Sequence, residues 1–186
     1  VVRTAAEAGA ELVALCDTNG GLLPDDVGEI VAAVNDGTGV RLGIHCHNDC
    51  ELAVANSLAA VDAGAIQVQG TINGIGERCG NANLCSIIPD LQLKLGFACI
   101  PPQNMATLTT VARAVSDIAN MPHNEKAAYV GADAFAHKGG MHVDAVVKNP
   151  VSYEHIDPDL VGNSRRMLMS EVAGRSALLA RIQAVD

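Results

Sequence analysis

Over the first hundred residues, short apolar runs alternate with stretches of helical periodicity. Leu12-Val13-Ala14-Leu15-Cys16 is a continuous apolar run, the form of a parallel strand buried on both faces. Asp17-Thr18-Asn19-Gly20-Gly21 interrupts it. Pro24 suits a first helical residue, and Asp25 and Asp26 favour the positive helix N-terminus. Val27, Ile30, Val31 and Val34 recur at i, i+3, i+4 and i+7, which predicts an amphipathic helix ending at Gly37. Val40 to His47 predicts a second strand. Leu52, Ala55, Leu58, Ala59 and Asp62 predict a helix closing at Gly64. Ala65 to Ile72 predicts a third strand. A glycine-rich loop from Asn73 to Asn81 then leads to a helix with an apolar face of Leu84, Ile87, Ile88, Leu91 and Leu95. Pro89 is expected to kink or restart that helix, and Gly96 to stop it.

Strand and helix thus alternate three times. Glu7-Ala8-Gly9-Ala10 and Asp62-Ala63-Gly64-Ala65 stand at matching places before two of the strands. Repeated βα units imply a parallel sheet. A closed eight-unit barrel takes about 250 residues, or roughly 30 per unit. Residues 1–99 therefore hold about three βα units, too few to close a barrel. An open doubly wound sheet is the alternative, but its usual phosphate loop after the first strand is missing. The expected fold class is α/β, the C-terminal part of a TIM (β/α)8 barrel.

From Ile100-Pro101-Pro102 the pattern changes. Met105, Leu108, Val111, Ala112, Val115 and Ile118 predict one long amphipathic helix. His123 to Pro158 reads as irregular, and Leu178, Leu179 and Ile182 form a closing apolar face. Residues 100–186 are expected to be an α-rich accessory segment.

Charge and composition narrow the partners. Lys and Arg number 12 against 21 Asp and Glu, a net charge of -9, which argues against nucleic acid or an anionic membrane. No run approaches the roughly 18 apolar residues of a membrane span, and no secretory signal is visible. Cys16, Cys46, Cys50, Cys79, Cys85 and Cys99 form no C-x-x-C pair, and they read as reduced thiols of a cytoplasmic protein. Val1 is not an initiator Met, the first residues read as the last turns of a helix, and Ser176 to Asp186 reads as a helix that simply stops. Both ends are expected to be cuts from a longer protein.

The chemistry begins at Gly43-Ile44-His45-Cys46-His47-Asn48-Asp49. Strand residues i and i+2 share a face, so His45 and His47 project together and Cys46 points away. Two such imidazoles can hold a divalent ion; the alternative is a structural pair inside a barrel. Asn48 and Asp49 suit the turn into the next helix. In a parallel barrel the active site gathers at the strands' C-terminal ends. Asp17-Thr18, His45-His47 and the Asn73 to Asn81 loop all fall there, which favours the metal reading. Each cluster also has a plainer reading: Asp17-Thr18 as a turn and cap, Glu77-Arg78 as a surface ion pair, the glycines as hinges for positive φ. His123, His137 and His155 read as solvated or structural.

Three motifs in order resemble a known family: His45-x-His47-Asn48-Asp49, Gly74-Ile75-Gly76-Glu77-Arg78-x-Gly80-Asn81-Ala82, and Ala134-Phe135-Ala136-His137-Lys138-Gly139-Gly140-Met141-His142. They are similar to those of the metal-dependent, acyl-CoA-condensing TIM barrels, the 2-isopropylmalate, homocitrate and citramalate synthases. Leu15 to Gly21, Asn83-Leu84-Cys85-Ser86, and Tyr153-Glu154-His155-Ile156 through Ser170-Glu171 look most like the citramalate synthase branch. The resemblance implies condensation of acetyl-CoA with a 2-keto acid, pyruvate for that branch, followed by thioester hydrolysis in branched-chain amino-acid biosynthesis. It implies a divalent cofactor (Zn, Mn or Mg) on His45 and His47, with Asn81 as ligand or water holder. Thr18, Glu77 and Arg78 are implied at the substrate, with Glu77 and Arg78 shaping the loop. His142 is implied as the proton-transfer residue, with Tyr153 near the thioester. It also implies a homodimer in which the accessory segment serves the neighbouring subunit, with Gly139-Gly140 permitting close approach.

The departures are as informative. The family's first-strand Arg-Asp pair, which supplies a metal-ligating carboxylate, is not in this chain. Nor are the middle-strand catalytic carboxylate and the C-terminal regulatory domain. The 186 residues alone are therefore expected to bind metal weakly and not to turn over. The alternatives are a 2-isopropylmalate synthase, a metal-dependent lyase akin to 3-hydroxy-3-methylglutaryl-CoA lyase, and a non-catalytic, structural or dimerising barrel segment.

Overall fold

Short apolar runs broken by glycine and Asx residues fold here as strands joined by helices. The computed structural model describes residues 1–138 and 140–168. Two compact units divide the chain, Val1–Cys99 and Ile100–Asp186.

In the first unit, helix α1 (Val2–Glu7) precedes strand β1 (Val13–Asp17), and Gly9 turns the chain between them at φ +99°. Helix α2 (Pro24–Thr38) starts where Pro24 needs no amide donor. The Asp26 carboxylate accepts the Leu23 N–H at 3.3 Å. The helix runs through Gly37 and ends at Gly39, which takes the left-handed conformation at φ +63°. Strand β2 (Leu42–Cys46), helix α3 (Ala53–Asp62) and strand β3 (Gln67–Gln69) complete the repeat. The strands pair in parallel in the order β1-β2-β3, with Cys16 opposite His45 and His45 opposite Gln69.

The third strand is shorter than Ala65 to Ile72. A Cβ on Gly70 would lie 2.4 Å from the Ala82 carbonyl oxygen, so the chain leaves the sheet there and turns through Ile72–Gly74. Helix α4 (Leu84–Pro89) follows, capped by the Asn83 side chain accepting the Cys85 N–H at 2.9 Å. At Pro89 the helix changes to a wider π-type turn over Asp90–Lys94. That is the restart expected of a proline with no amide donor.

One face of the sheet is covered by helices. Leu42, Ile44 and Cys46 of β2 meet Val27, Val31, Ala53, Ala60, Ile87 and Leu91 in one core. A fully buried side chain such as Ile87 contributes about 1.5–3 kcal/mol. The even positions of β2 are thereby committed inward, which sends His45 to the opposite face. β1 is not buried on both faces: Val13 and Leu15 pack partly on this core, while Cys16 is exposed. β1 is an edge of this three-stranded sheet, and the helices of the first unit pack on the face that carries Leu42, Ile44 and Cys46.

In the second unit a 3-10 stretch, Pro102–Thr107, feeds helix α5 (Leu108–Ile118). The single long helix expected from Met105 is thus two segments of different pitch. Its buried line is Met105, Leu108, Thr109, Ala112 and Ser116, while Val111 and Ile118 are exposed. The buried polar positions are occupied: Thr109 Oγ1 donates to the Val161 carbonyl at 2.8 Å, and Ser116 lies 3.5 Å from His123 Nδ1. The stretch expected to be irregular contains strand β4 (Ala136–His137) and helix α6 (Gly140–Lys148). β4 pairs in parallel with strand β5 (Arg166–Met167). Tyr129, Val130, Phe135, Val143, Val146 and Val161 are buried. The closing apolar face at Leu178, Leu179 and Ile182, and the Gly139 and Ser170-Glu171 positions, lie outside the described residues. Among those described, no helix is long and apolar enough to cross a membrane.

Candidate functional site

The C-terminal edge of the sheet gathers the three polar clusters of the first unit. β2 ends at Cys46, and His47 continues it by one bridge, paired antiparallel with Asn81. The His45 and His47 rings stand edge to face with centroids 5.1 Å apart. Asn81 comes alongside because its loop is tied on both sides: Ala82 N–H donates to the Cys46 carbonyl at 3.0 Å, and Asn48 N–H to the Gly80 carbonyl at 2.9 Å. Asn81 Nδ2 donates to the Ile75 carbonyl at 3.1 Å, which turns its oxygen the other way.

That arrangement leaves a specific deficit. His45 Nδ1, His47 Nδ1 and Asn81 Oδ1 are buried and have no hydrogen-bond partner among the described residues. Buried polar atoms are almost always paired, and leaving one unpaired costs about 1–3 kcal/mol. Three lone-pair donors left unsatisfied in one place fit a cation, which needs donor atoms that nothing else has engaged. Among the described residues no three His, Cys, Asp or Glu are placed to hold a metal ion together; the unsatisfied atoms belong to two imidazoles and an amide.

Arg78 ties the edges together. Its Nε and Nη2 grip the Asp49 carboxylate at 2.8 and 3.0 Å, and Nη2 also donates to the Thr18 carbonyl at 2.7 Å. The bidentate fork fixes orientation as well as distance. Arg78 sits at φ +55°, a conformation costly for a residue with a Cβ, and these contacts hold it there. The guanidinium keeps the Asp49 carboxyl below the usual carboxylate range. Glu77 lies 3.9 Å from Arg78 and is mostly exposed. Asp17 is buried, its carboxylate accepting the Gly20 and Leu22 amides at 3.2 and 3.3 Å. Thr18, Asp49 and Arg78 border an open cleft of about 740 Å³. The N-cap position of α3 is Leu52 rather than Asn48 or Asp49, although Asn48 Oδ1 accepts the Ala53 N–H at 3.1 Å from further upstream.

All six cysteines are free thiols. Cys46, between the two histidines, points into the core, where burial pushes its thiol up to about 11.

The second unit brings His142 and Tyr153 together, with ring centroids 4.5 Å apart and planes tilted 31°. Beside them lies a buried ionic cluster that sequence reasoning missed. Glu154 is 4% exposed. Its Oε1 accepts from His137 Nε2 at 2.9 Å and from Arg165 Nε at 2.7 Å, and Arg165 Nη2 donates to Oε2. Of the two sequence readings of His137, solvated or structural, the buried side chain fits the second, and it is held by a hydrogen bond to Glu154. The Arg165 fork, with His137, holds the Glu154 carboxyl below its ordinary value. A depressed folded-state value means stability present above the unfolded carboxyl value and lost as pH falls through the folded one. Glu154→Gln is therefore expected to lower stability by about 1.5–3 kcal/mol at neutral pH. Denaturant titrations of both proteins at descending pH are expected to show that gap closing in acid.

Two family models match the chain: HMGL-like over residues 1–115, and homocitrate synthase post-HMGL domain-like over residues 129–186. The (R)-citramalate synthase of Aquifex aeolicus is 57% identical, with 98% of this chain covered and 35% of that protein. The (R)-citramalate synthase of Synechocystis sp. is 55% identical, again over 98% of this chain and 35% of that protein. The chain thus spans about a third of the length of these curated relatives. Among solved structures, the carboxyl transferase domain of Rhizobium etli pyruvate carboxylase with pyruvate superposes with a TM-score of 0.55 at 25% identity, covering 63% of this chain and 19% of that one.

Proposed function

The chain belongs to the HMGL-like family, and from that premise we propose that it is the metal-holding part of an acyltransferase that condenses acetyl-CoA with pyruvate to citramalate. Residues 1–99 are the C-terminal part of the TIM-barrel catalytic domain, and residues 100–186 are the α-rich accessory subdomain. The assembly is a cytoplasmic homodimer. What supports this reading most is the set of buried, unpartnered atoms His45 Nδ1, His47 Nδ1 and Asn81 Oδ1 at the strands' C-terminal edge. Identity to citramalate synthases over 98% of the chain supports the substrate pair.

His45 and His47 hold the divalent ion, and Asn81 ligates it or holds its water. When bound, that ion supplies Lewis acidity toward a ketone oxygen. Thr18 hydrogen-bonds the keto acid from the end of β1. Arg78, with Glu77 beside it, serves the substrate by fixing the loop that carries Thr18: its guanidinium is committed to Asp49 and the Thr18 carbonyl. His142 moves the proton at the acetyl methyl, and Tyr153 accompanies it near the thioester. The remaining metal-ligating carboxylate is outside these residues.

The test is release of free CoA thiol by the full-length polypeptide carrying residues 1–186, with acetyl-CoA, a divalent ion and pyruvate. Pyruvate-dependent release is the expected result. Release with 2-ketoisovalerate alone would reassign the keto acid to that of a 2-isopropylmalate synthase, and no release with either would overturn the enzymatic reading.

A further inference from the structure

Glu154 is a buried carboxylate for which the proposed reaction has no use, and it lies next in sequence to Tyr153. We propose that Glu154 is a positioning residue: held by His137 and Arg165, it sets the geometry of the His142–Tyr153 pair. This inference rests on the reading of that pair as the proton-transfer residues.

Neither ring of the pair is held by burial. His142 is exposed, and Tyr153 is 48% exposed. They belong to different elements, His142 to α6 and Tyr153 to the end of the turn Pro150–Ser152. An exposed pair on two elements keeps its 4.5 Å spacing only if both elements are anchored. Glu154 provides the anchor from three directions, two through its carboxylate and one through its backbone. His137 lies in β4, five residues before His142. Arg165 directly precedes β5, which pairs with β4. The Glu154 N–H donates to the Pro150 carbonyl at 2.9 Å, closing the turn that presents Tyr153. The carboxylate thus joins the strand leading to α6 to the residue before the strand beside it, and the backbone of the same residue closes the tyrosine turn, so the position of that turn follows the carboxylate.

Stability alone does not account for such a cluster. Replacing a buried ion pair by well-packed apolar groups is often neutral or stabilising, whereas orientation needs the fixed fork of an arginine on a carboxylate. The histidine of the cluster and the histidine of the active pair bracket one short connection, so a loosened His137 displaces His142. A misplacement of about 1 Å at a reacting group costs on the order of 100-fold.

The experiment uses the full-length enzyme, assayed with pyruvate and acetyl-CoA well below its unfolding temperature. Glu154→Gln is expected to lower kcat by about 100-fold, with the KM for pyruvate and the affinity for the metal unchanged. Arg165→Lys keeps the charge, loses the fork, and sits at a partly exposed position, so it reports even if Glu154→Gln fails to fold. It is expected to show a smaller decline confined to the same parameter. A variant that melts earlier but keeps the kcat of the wild type per folded molecule would overturn the inference, as would a loss shared equally by KM and metal binding. His142→Ala and Tyr153→Phe separate the two levels. If they abolish turnover while Glu154→Gln and Arg165→Lys do not, only the positioning role falls. If they leave turnover intact, the proton-transfer reading itself falls.

Discussion

His47→Ala in the full-length polypeptide is expected to abolish metal-dependent turnover and to weaken divalent-ion binding by more than the roughly 10- to 100-fold typical of losing an outer-shell partner. The reasoning follows from where the ring stands. His47 lies one residue beyond β2, bridged to Asn81, with its Nδ1 buried and unpartnered. Removing it takes away a donor atom that the fold has left free for a ligand. The same absence of a partner fixes the sign of the effect on stability. No hydrogen bond is broken at Nδ1, so the metal-free variant is expected to unfold near the wild-type temperature, while the metal-loaded wild type gains a stabilisation that the variant lacks. Calorimetric metal titration together with thermal unfolding, with and without ion, checks both parts. A variant that binds as tightly as wild type would mean that the histidines are structural, the alternative their spacing left open.

Gly80→Ala is expected to do comparable damage without touching a ligand. Gly80 sits at φ +95°, and a Cβ there would lie 2.1 Å from the Gly74 carbonyl oxygen. Real Cβ atoms do not tolerate that distance from backbone. The left-handed conformation adds about 1–2 kcal/mol for a residue with a side chain. Relief requires the two arms of the loop to part, yet Asn81 N–H donates to that same Gly74 carbonyl at 2.9 Å, and Gly80 O accepts from Asn48. Parting them swings Asn81 away from His47. The expected outcome is a loss of metal affinity of at least about 10-fold with the helical core of the first unit retained, read by metal titration beside circular dichroism. Unaltered affinity would show that the amide of Asn81 plays no part in holding the ion.

Much of the first unit was legible in the sequence because its signals are local. Strand alternation placed His45 and His47 on one face, and the structure agrees because Leu42, Ile44 and Cys46 are drawn the other way by the core. Pro89 gave its restart for the same local reason, a missing amide. The misses are tertiary. Ala65 to Ile72 is apolar enough for a long strand, but Gly70 must pass against Ala82, and nothing in the run encodes that approach. In α5 the apolar positions Val111 and Ile118 face outward while Thr109 and Ser116 face in, because partners outside the helix, the Val161 carbonyl and His123, meet the buried hydroxyls. Helix α6 was overlooked because glycines before it and Pro150 after it read as breaks; its buried Val143 and Val146, spaced i and i+3, were the available signal. The Asp49–Arg78 clamp and the His137–Glu154–Arg165 cluster join residues 29, 17 and 11 positions apart, and a charge pair of that span leaves no periodic trace.

The thiol between the two histidines has a use of its own. Cys46 is fully buried with its ionisation pushed up to about 11, whereas Cys16, Cys50, Cys79 and Cys99 face solvent. Alkylating reagents attack the thiolate, so the four exposed sulfurs are consumed first, while this one waits for the strand to breathe and the buried Cys85 for its own helix. Its rate of modification is therefore a clock for opening of the histidine strand, readable by mass spectrometry without engineering a new residue into the protein.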